Sequence, residues 1–203
     1  MSGRGPDAEV GSVMPHVVEL ASTGRAKCRG CGAAIAKGAW RVGEAVPNMF
    51  ADGENAEARH WYHPRCAAYR RPEAFLQALE GSDAALDGRE SLVAAAQAGV
   101  AHHRLPRLDK AERAASGRAS CRQCRTPIVK GAWRLTLLFW EDGRFMPAGY
   151  LHPSCVAAYA ETTGGVVERV RHFTPELSAD DLAEIGAAIA QGAAAPPSPP
   201  ADA

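Results

Sequence analysis

Few large side chains are available to fill a single core in this 203-residue sequence. Aromatic residues make up only 6% of it, and alanine supplies much of the 46% hydrophobic share. The sequence also lacks the run of about 18 apolar residues that a membrane-spanning helix needs, and it has no apolar signal-peptide segment near its N-terminus. These absences predict small folding units in a reducing, intracellular setting, where disulfide bonds are disfavoured.

Net charge is absent as well, because 23 lysines and arginines balance 23 acidic residues. No overall field therefore draws the molecule to polyanions. The charge is nevertheless uneven: residues 16–41 contain five basic side chains against one acidic one, and residues 109–134 contain seven against two. Much of the compensating acid lies in the C-terminal segment. Any electrostatic role is thus predicted to come from two local basic patches.

The chain contains an internal duplication. An offset of 93 positions aligns STGRAKCRGC at 22–31 with ASGRASCRQC at 115–124, and KGAWR at 37–41 with KGAWR at 130–134. A second offset, of 89 positions, aligns HPRC at 63–66 with HPSC at 152–155. The first copy therefore has four more residues between its two halves.

Each copy contains a Cys-x2-Cys pair and a His-x2-Cys pair, separated by 31 residues in the first copy and 27 in the second. Three thiolates and one imidazole complete a tetrahedral zinc site with no open position, which indicates structural rather than catalytic zinc. A redox dithiol would not need the repeated His-x2-Cys partner. His60 is a conceivable substitute ligand, but it has no counterpart in the second copy. The predicted ligands of two structural Zn²⁺ ions are Cys28, Cys31, His63, Cys66, Cys121, Cys124, His152 and Cys155.

The predicted fold class is small α+β, zinc-dependent: a tandem duplication of a Cys3His zinc finger with a short sheet and flanking helices. KGAWRVGEAV and KGAWRLTLLFW are predicted strands because they are rich in β-branched, aromatic and apolar residues. Short helices are predicted after the two His-Pro pairs. A longer helix over 179–191 is predicted to begin at the Ser178 and Asp181 capping pair and to end at Gly192.

Five segments are predicted along the chain. An Ala-rich linker separates the copies, and a helix over 91–97, stopped by Gly99, either packs on the first copy or spaces the two. The C-terminal Pro/Ala segment has nothing to bury and is predicted to be disordered. The predicted boundaries are a flexible N-terminus at 1–13, a first finger at 14–81, the linker at 82–104, a second finger with a C-terminal helix at 105–191, and the tail at 192–203.

These motifs resemble the zinc finger of poly(ADP-ribose) polymerases and of one class of eukaryotic DNA ligase. The first copy reads GRAKC-x2-C, I-x-K-G-x-x-R, PNMFADG and WYHPRC, and the second reads GRASC-x2-C, I-x-K-G-x-x-R and LHPSC. The resemblance covers about 14–80 and 105–190. It implies fingers that recognise DNA strand breaks and duplex ends by shape rather than by sequence. Since no nucleotide loop, triad or acidic dyad is visible, no enzymatic activity is expected.

The resemblance also implies residue roles. In the family, the arginine ahead of the first cysteine and the arginine that closes K-G-x-x-R contact DNA phosphates, and a guanidinium suits phosphate. The alternative is that these are solvated surface charges. In the family, an apolar residue on the loop before the histidine stacks on the base pair that the break exposes. The alternative for Phe50, the candidate in the first copy, is that it folds back into a small core. The predicted DNA-binding residues are Arg25, Lys27, Arg41, Phe50, Arg118, Arg134, and Phe139 or Trp140.

The sequence thus predicts a zinc-dependent DNA-binding protein that recognises nicks, gaps or ends with one finger on each side. Its predicted role is that of a sensor, or of a recruiter for a separately encoded repair enzyme, with no membrane or small-molecule partner. The main alternative is a protein-interaction adaptor, favoured by the zero net charge and the acidic C-terminal segment. A metal-dependent accessory nuclease or ligase would need an unfilled zinc position. The Arg-rich, Lys-poor composition is typical of a GC-rich genome, which predicts a cytoplasmic or nucleoid-associated protein if bacterial and a nuclear one if eukaryotic.

Overall fold

The computed structural model describes residues 15–47 and 57–194. Phe50 and the predicted flexible N-terminus lie outside the described residues, as does most of the predicted tail. In the first half, an antiparallel sheet in the order β1-β2-β3 is followed by three helices. Their bounds are β1 Val17–Leu20, β2 Trp40–Pro47, β3 Glu57–Tyr62, α1 Pro64–Arg70, α2 Pro72–Leu79 and α3 Arg89–Ala101.

The second half repeats the sheet and then departs from the first in its helices. A short 3-10 helix precedes an antiparallel sheet in the order β4-β5-β6, and another contains the last cysteine. The bounds are β4 Leu108–Arg113, β5 Trp133–Glu141, β6 Arg144–Leu151, α4 Val156–Ala160, α5 Val166–Phe173 and α6 Ala179–Ala194. We call β1–β3 with α1–α3 the first finger, and β4–β6 with α4–α6 the second finger.

The two sheets have equivalent registers. Val42 pairs with Tyr62 in the first finger, and Leu135 pairs with Leu151 in the second, which are the same positions at the two offsets of the repeat. The second finger closes its hairpin with the two-residue turn Asp142-Gly143, and both residues have positive φ, 48° and 74°. Such a turn matches the twist of the flanking strands. The predicted strands and the α+β fold class are confirmed.

Buried apolar residues form two clusters, one in each finger. These two clusters agree with the small folding units that the shortage of aromatic residues predicted. The largest fully buried apolar side chains of the first cluster are Ile35, Val42, Tyr62 and Phe75. Those of the second cluster are Leu105, Leu108, Ile128, Leu135, Leu137, Leu151 and Ile185.

Helix α3 packs on the first finger. Its Leu92 and Ala96 belong to the first core. Of the two alternatives for the linker helix, the structure therefore shows packing on the first copy, and the helix is not a free spacer between the copies. The prediction that Gly99 stops this helix is wrong, since the helix continues to Ala101. Gly99 faces Pro72 instead, where a Cβ would lie 3.1 Å from the proline ring. The predicted segment boundaries themselves stay a prediction.

Helix α6 begins as predicted and ends later. The Asp181 backbone N–H donates to Ser178 Oγ at 3.1 Å, and the Ser178 N–H donates to Asp181 Oδ2 at 3.1 Å, which is a reciprocal cap. Gly192 does not terminate the helix, which runs through to Ala194. A Cβ at Gly192 would lie 1.7 Å from the Ser154 carbonyl oxygen, so glycine is needed there for close packing against the turn that holds the last cysteine.

The two fingers pack against each other through helices α1 and α5. The Arg169 side chain is 1% exposed, and its guanidinium donates to the carbonyl oxygen of Tyr69 in the first finger. Phe173 of α5 lies 111 positions after Tyr62, the last residue of the first finger's sheet, yet it is part of the first core. Arg70 lies 3.8 Å from the Phe173 ring centroid and forms an ion pair with Asp109 of β4. The duplication has therefore produced two docked fingers.

Candidate metal centres and nucleic-acid interface

A tight turn brings the first two predicted ligands of the first finger together. The Cys28 N–H donates to the Ala33 carbonyl oxygen at 2.8 Å, and the Gly32 N–H donates back to the Cys28 carbonyl oxygen at 2.8 Å. Gly32 has a φ of 79°, in the left-handed region that glycine adopts without steric penalty. This turn positions the sulfurs of Cys28 and Cys31 on one side of the chain.

The second finger repeats the turn nearly bond for bond. The Cys121 N–H donates to the Thr126 carbonyl oxygen at 2.9 Å, and the Arg125 N–H donates to the Cys121 carbonyl oxygen at 3.0 Å. Arg125 occupies the position of Gly32 and also has a positive φ, 64°. The same backbone is thus formed in the second finger with a side chain in the left-handed region, where a Cβ is disfavoured.

The remaining two ligands of each finger flank a helix start. His63 is the N-cap of α1 with an extended backbone, Pro64 follows at the first helical position, and Cys66 lies in the first turn. Proline is favoured there because its fixed φ suits a helix and its missing N–H has no partner to lose. In the second finger, His152 precedes a 3-10 turn over Pro153–Cys155. The expectation that the His-Pro-x-Cys motif starts a helix is confirmed for the first finger.

All eight predicted ligands meet in two clusters, and within each cluster the ligand atoms lie within 4.8 Å of one another. Cys31 Sγ lies 3.5 Å from His63 Nδ1, and Cys124 Sγ lies 3.4 Å from His152 Nδ1. Zinc bonds of about 2.3 Å to sulfur and 2.0 to 2.1 Å to nitrogen place tetrahedral ligands about 3.5 to 3.8 Å apart. The two clusters therefore fit two structural zinc ions, with each histidine presenting Nδ1.

Backbone N–H groups stabilise one sulfur in each cluster. The His63 N–H lies 3.3 Å from Cys28 Sγ, and the His152 N–H lies 3.4 Å from Cys121 Sγ. An N–H that points at a sulfur favours the thiolate, which is the form that binds zinc. Each cluster supplies four protein ligands, so no coordination position is left open to water. Such closed sites are structural, and binding of the metal contributes directly to folding.

In the first cluster, the Cys66 thiol donates its proton in a hydrogen bond to Cys28, and zinc would replace this proton. Hydrogen bonds from Cys66 and His63 lower the pKa of Cys28 to about 3 against the opposing effect of burial. The hydrogen bond that the Cys66 thiol makes to Cys28, together with burial, raises the pKa of Cys66. One sulfur thus ionises readily and another retains its proton without a metal. A divalent cation would displace that proton, so zinc binding is expected to release protons.

The second cluster also contains one acidic thiol, but at the other cysteine of the Cys-x2-Cys pair: its acidic thiol is Cys124, whereas burial raises the pKa of the equivalent Cys31 in the first cluster. Burial raises the pKa of Cys124, but hydrogen bonds from Thr126 and His152 outweigh it and lower the value to about 6. Burial and the neighbouring Cys121 raise the pKa of Cys155 to about 12. Both clusters therefore combine an acidic thiol with a reluctant one, as expected of sites whose full ionisation requires the metal charge.

Two basic turns lie side by side on each finger. Arg25 and Lys27 are exposed on the segment that leads to Cys28. A Cβ on Gly24 would lie 3.7 Å from the backbone nitrogen of Lys37, so the Gly-Arg turn contacts the Lys-Gly turn. Sequence reasoning did not select Lys37, although its repetition in KGAWR was the available signal.

The second finger repeats this arrangement of basic turns. Arg118 and Lys130 are exposed, and a Cβ on Gly117 would lie 3.9 Å from the backbone nitrogen of Lys130. In the part of the chain that the structure describes, the side chains of Arg25, Lys37, Arg118 and Lys130 make no salt bridge. Each finger therefore presents positive charge on two adjoining turns next to its metal centre.

Arg41 has a different environment from the exposed arginines. It is 8% exposed, and its Nε donates to Glu19 directly opposite on β1 at 3.0 Å. The guanidinium carbon also lies 3.5 Å from the centroid of the Trp61 ring. This side chain is held between a carboxylate and an aromatic ring, and it links β1, β2 and β3 across one face of the sheet.

Arg134 is held in the same way in the second finger. Its Nε donates to Glu112 at 2.9 Å, and its guanidinium carbon lies 3.6 Å from the Tyr150 ring centroid. The alternative that Arg41 and Arg134 are solvated surface charges is not observed, because both are paired with carboxylates and largely buried. Phosphate contact through either one stays a prediction, and it would require the phosphate to displace a glutamate.

Phe139 and Trp140 lie in strand β5, which agrees with the strand predicted for KGAWRLTLLFW and not with a position on the loop before the histidine. Trp140 packs on Phe145 across the hairpin, with ring centroids 4.7 Å apart, and the guanidinium of Arg71 lies 4.5 Å from its ring. The His60 ring meets Trp140 edge-on at 5.6 Å. His60 is therefore part of the finger contact and is not among the clustered metal ligands. Phe139 is half-buried beside this contact.

Residues 19–103 match the family described as poly(ADP-ribose) polymerase and DNA-ligase Zn-finger region. The first finger is thus similar to the zinc fingers of that family. The match extends through α3, which agrees with the packing of this helix on the first finger. The resemblance carried by the motifs is therefore confirmed, and the metal ligands of the first finger fall within the matched region.

Three relatives, each aligned over most of this chain, are poly [ADP-ribose] polymerases. The protein of Sarcophaga peregrina is 25% identical over 87% of this chain and 20% of its own length. The protein of Drosophila melanogaster is 28% identical, over 87% and 19%, and poly [ADP-ribose] polymerase 1 of Gallus gallus is 27% identical, over 73% and 16%. The chain thus spans about a fifth or less of the length of these curated relatives. Within the described ranges, no helix has the length and apolarity to cross a membrane.

Proposed function

We propose that this protein binds DNA at strand breaks or duplex ends, without sequence preference, through the exposed basic turns of its two docked fingers. The observation that carries the proposal is the repetition of an exposed arginine turn next to an exposed lysine turn beside each metal centre. The match of residues 19–103 to the polymerase and ligase zinc-finger family supports it. As a sensor of broken DNA, the protein would recruit a separately encoded repair enzyme.

Phosphate contacts would provide the affinity. Zinc, when bound, fixes the cysteine turns and so makes the neighbouring basic turns rigid. Arg25 and Arg118 present forked guanidinium donors that suit phosphate oxygens, and Lys37 and Lys130 add positive charge beside them. Such contacts orient a protein on a duplex without reading its sequence. Because the fingers are docked, we infer that they engage DNA as one block and not as two independently placed units.

Preference for broken DNA would come from base stacking. We assign this role to Phe50, which lies outside the described residues, because Trp140 in the second finger is already engaged with Arg71 and Phe145. Stacking on a base contributes about 1 to 3 kcal/mol and is available only where a base pair is exposed. Phe50→Ala is therefore expected to lower affinity for nicked DNA about five-fold or more while sparing intact duplex.

The test is a fluorescence anisotropy titration of the zinc-loaded protein with nicked duplex at two salt concentrations. The double variant Arg25→Ala, Arg118→Ala is expected to bind at least ten-fold more weakly at low salt. Its salt dependence should be shallower by about two phosphate contacts. A matched control removes two exposed arginines outside the basic turns, Arg107→Ala with Arg171→Ala. Equal binding by the wild type and the first double variant would contradict the phosphate role.

A protein-interaction adaptor is the second candidate. A cleft of about 420 Å³ lies between α3 and the start of α5, and it is lined largely by apolar side chains that include Leu92, Ala95 and Leu105. A groove of this kind suits an apolar partner segment. Absence of binding to nicked, blunt-ended and closed-circular DNA in the same titration would favour this function over DNA binding.

A further inference from the structure

A histidine of the second finger contacts a zinc ligand of the first. His172 Nε2 lies 3.1 Å from Cys66 Sγ, although the two residues are 106 positions apart. Cys66 is fully buried, and His172 lies on α5 of the second finger. The contact therefore joins the first metal centre to a segment outside its own fold.

Helix α5 holds this histidine in place. The His172 ring meets Tyr69 edge-on, with ring centroids 5.4 Å apart, and also meets its neighbour Phe173 at 4.7 Å. One turn earlier on the same helix, the buried Arg169 donates to the Tyr69 carbonyl oxygen. Tyr69 is in α1, the helix that also contains Cys66. The position of His172 is thus set by the docking of α5 on α1.

The chemistry of the contact requires an N–H directed at sulfur. A zinc-bound thiolate is an acceptor with no hydrogen of its own, so an imidazole nitrogen at this distance is favourable only as a donor. Hydrogen bonds of this kind to a ligand sulfur reduce its negative charge and fix its orientation, and their loss typically lowers metal affinity about 10- to 100-fold.

The second metal centre provides an internal comparison. Across residues 15–47 and 57–194, the only nitrogen that the hydrogen bonds place near Cys155 Sγ is His152 Nδ1 of its own cluster, at 4.0 Å. In the first cluster, Cys28 receives the His63 N–H and Cys66 has His172. The two centres have the same four types of ligand, but only the first has a histidine from the other finger near its last cysteine in the part of the chain that the structure describes.

We propose that His172 donates its Nε2–H to the Cys66 sulfur and acts as a positioning residue for the first zinc centre, so that docking of the second finger strengthens zinc retention in the first. The second centre has no such dependence on the first finger. The two metal centres are therefore unequal, and loss of finger docking is expected to release the first zinc sooner than the second.

The test follows thiol alkylation of the zinc-loaded full chain by N-ethylmaleimide, with mass spectrometry resolving each cysteine. His172→Phe retains an aromatic ring against Tyr69 but removes the donor, and alkylation of Cys66 is expected to become about ten-fold faster. The rate at Cys155 should stay within two-fold of the wild-type rate, which also shows that the second finger is folded. Arg171→Ala, an exposed neighbour on the same helix, is the control.

A donor-specific effect is separated from a packing effect by rescue and by spectroscopy. His172→Gln offers an amide N–H and is expected to recover part of the protection of Cys66. In cobalt-substituted protein, His172→Phe should shift the thiolate-to-cobalt charge-transfer band of one centre to lower energy. An unchanged Cys66 rate in His172→Phe, equal acceleration at Cys155, or the same band in both proteins would overturn the proposal.

Discussion

The two fingers hold their metal with the same backbone bonds but surround it with different helices. In the first finger, α2 packs on the sheet, α3 packs on α1 and α2, and Phe173 from the second finger is part of the core. In the second, α6 packs on the turn that contains Cys155, close enough to require Gly192. The comparison shows that the two copies have the same cysteine turn, whereas the helices that pack around it differ.

Removal of one ligand should give the largest effect on this comparison. Cys28→Ala and Cys121→Ala alter equivalent positions, and each is expected to lower zinc stoichiometry from two to one. A structural zinc site supplies about 10 kcal/mol or more of folding free energy, so the altered finger should unfold. Metal analysis and circular dichroism measure both outcomes. Retention of two zinc ions by either variant would show that its cysteine is not a ligand.

Truncation of Phe173 tests whether the fingers depend on each other. Phe173→Ala removes a buried ring that belongs to the second finger in sequence and to the first in packing. We expect a loss of about 3 to 5 kcal/mol in the unfolding free energy measured by denaturant titration.

The control for this prediction is Ile189→Ala, a buried residue of the second core. Its loss should be about 2 to 5 kcal/mol, and hydrogen exchange should locate it in the second finger alone. If Phe173→Ala left hydrogen exchange in the first finger unchanged, the docking of the fingers would be contradicted.

A smaller change in stability is expected when the residues with positive φ in the two cysteine turns are exchanged. Gly32 and Arg125 have φ values of 79° and 64° at equivalent positions. Gly32→Arg is expected to destabilise the first finger by about 1 kcal/mol, and Arg125→Gly to relieve a similar strain in the second, offset in part by unfolded-state entropy. Thermal unfolding of the two variants measures the difference. The same sign of effect in both would mean that the turns are not equivalent.

The smallest change in stability is expected at the N-terminal cap of α6. The described helices of the first finger have no side-chain cap of this kind. Hydrogen bonds from Ser178 hold the pKa of Asp181 below its usual value. The stabilisation is therefore complete above the ordinary carboxyl pKa and is lost as the pH falls through the lowered value in the folded protein. Ser178→Ala should bring the Asp181 pKa back towards normal in an NMR titration. An unchanged pKa would exclude the reciprocal cap.

Local patterns predicted what repeats within each finger. The ligand spacing identified both metal centres, β-branched and aromatic residues identified β2 and β5, and Ser178 with Asp181 identified the start of α6. Each of these signals depends on residues that are close in sequence or fixed by the duplication. The fold class and the ligand sets were therefore predictable before any coordinates.

What was missed depends on contacts between distant residues. Pairing of Arg41 with Glu19 follows only once the strand register is known, and the approach of His172 to Cys66 links positions 106 apart that no repeat relates. The extent of α3 was misjudged because Gly99 was interpreted as a stop, whereas it allows close contact with Pro72. Tertiary packing outweighed local helix propensity in this case.

The central proposal is that the two zinc-stabilised fingers together bind DNA at a strand break, and one competition experiment tests it most directly. Zinc-loaded protein bound to a labelled nicked duplex is challenged with unlabelled duplexes of identical sequence, one nicked and one sealed into a continuous closed form. The account predicts that the nicked competitor displaces the label at a concentration at least ten-fold lower than the sealed one, and that chelation of zinc abolishes binding to both. Equal displacement by the two competitors, or binding that survives removal of zinc, would contradict it.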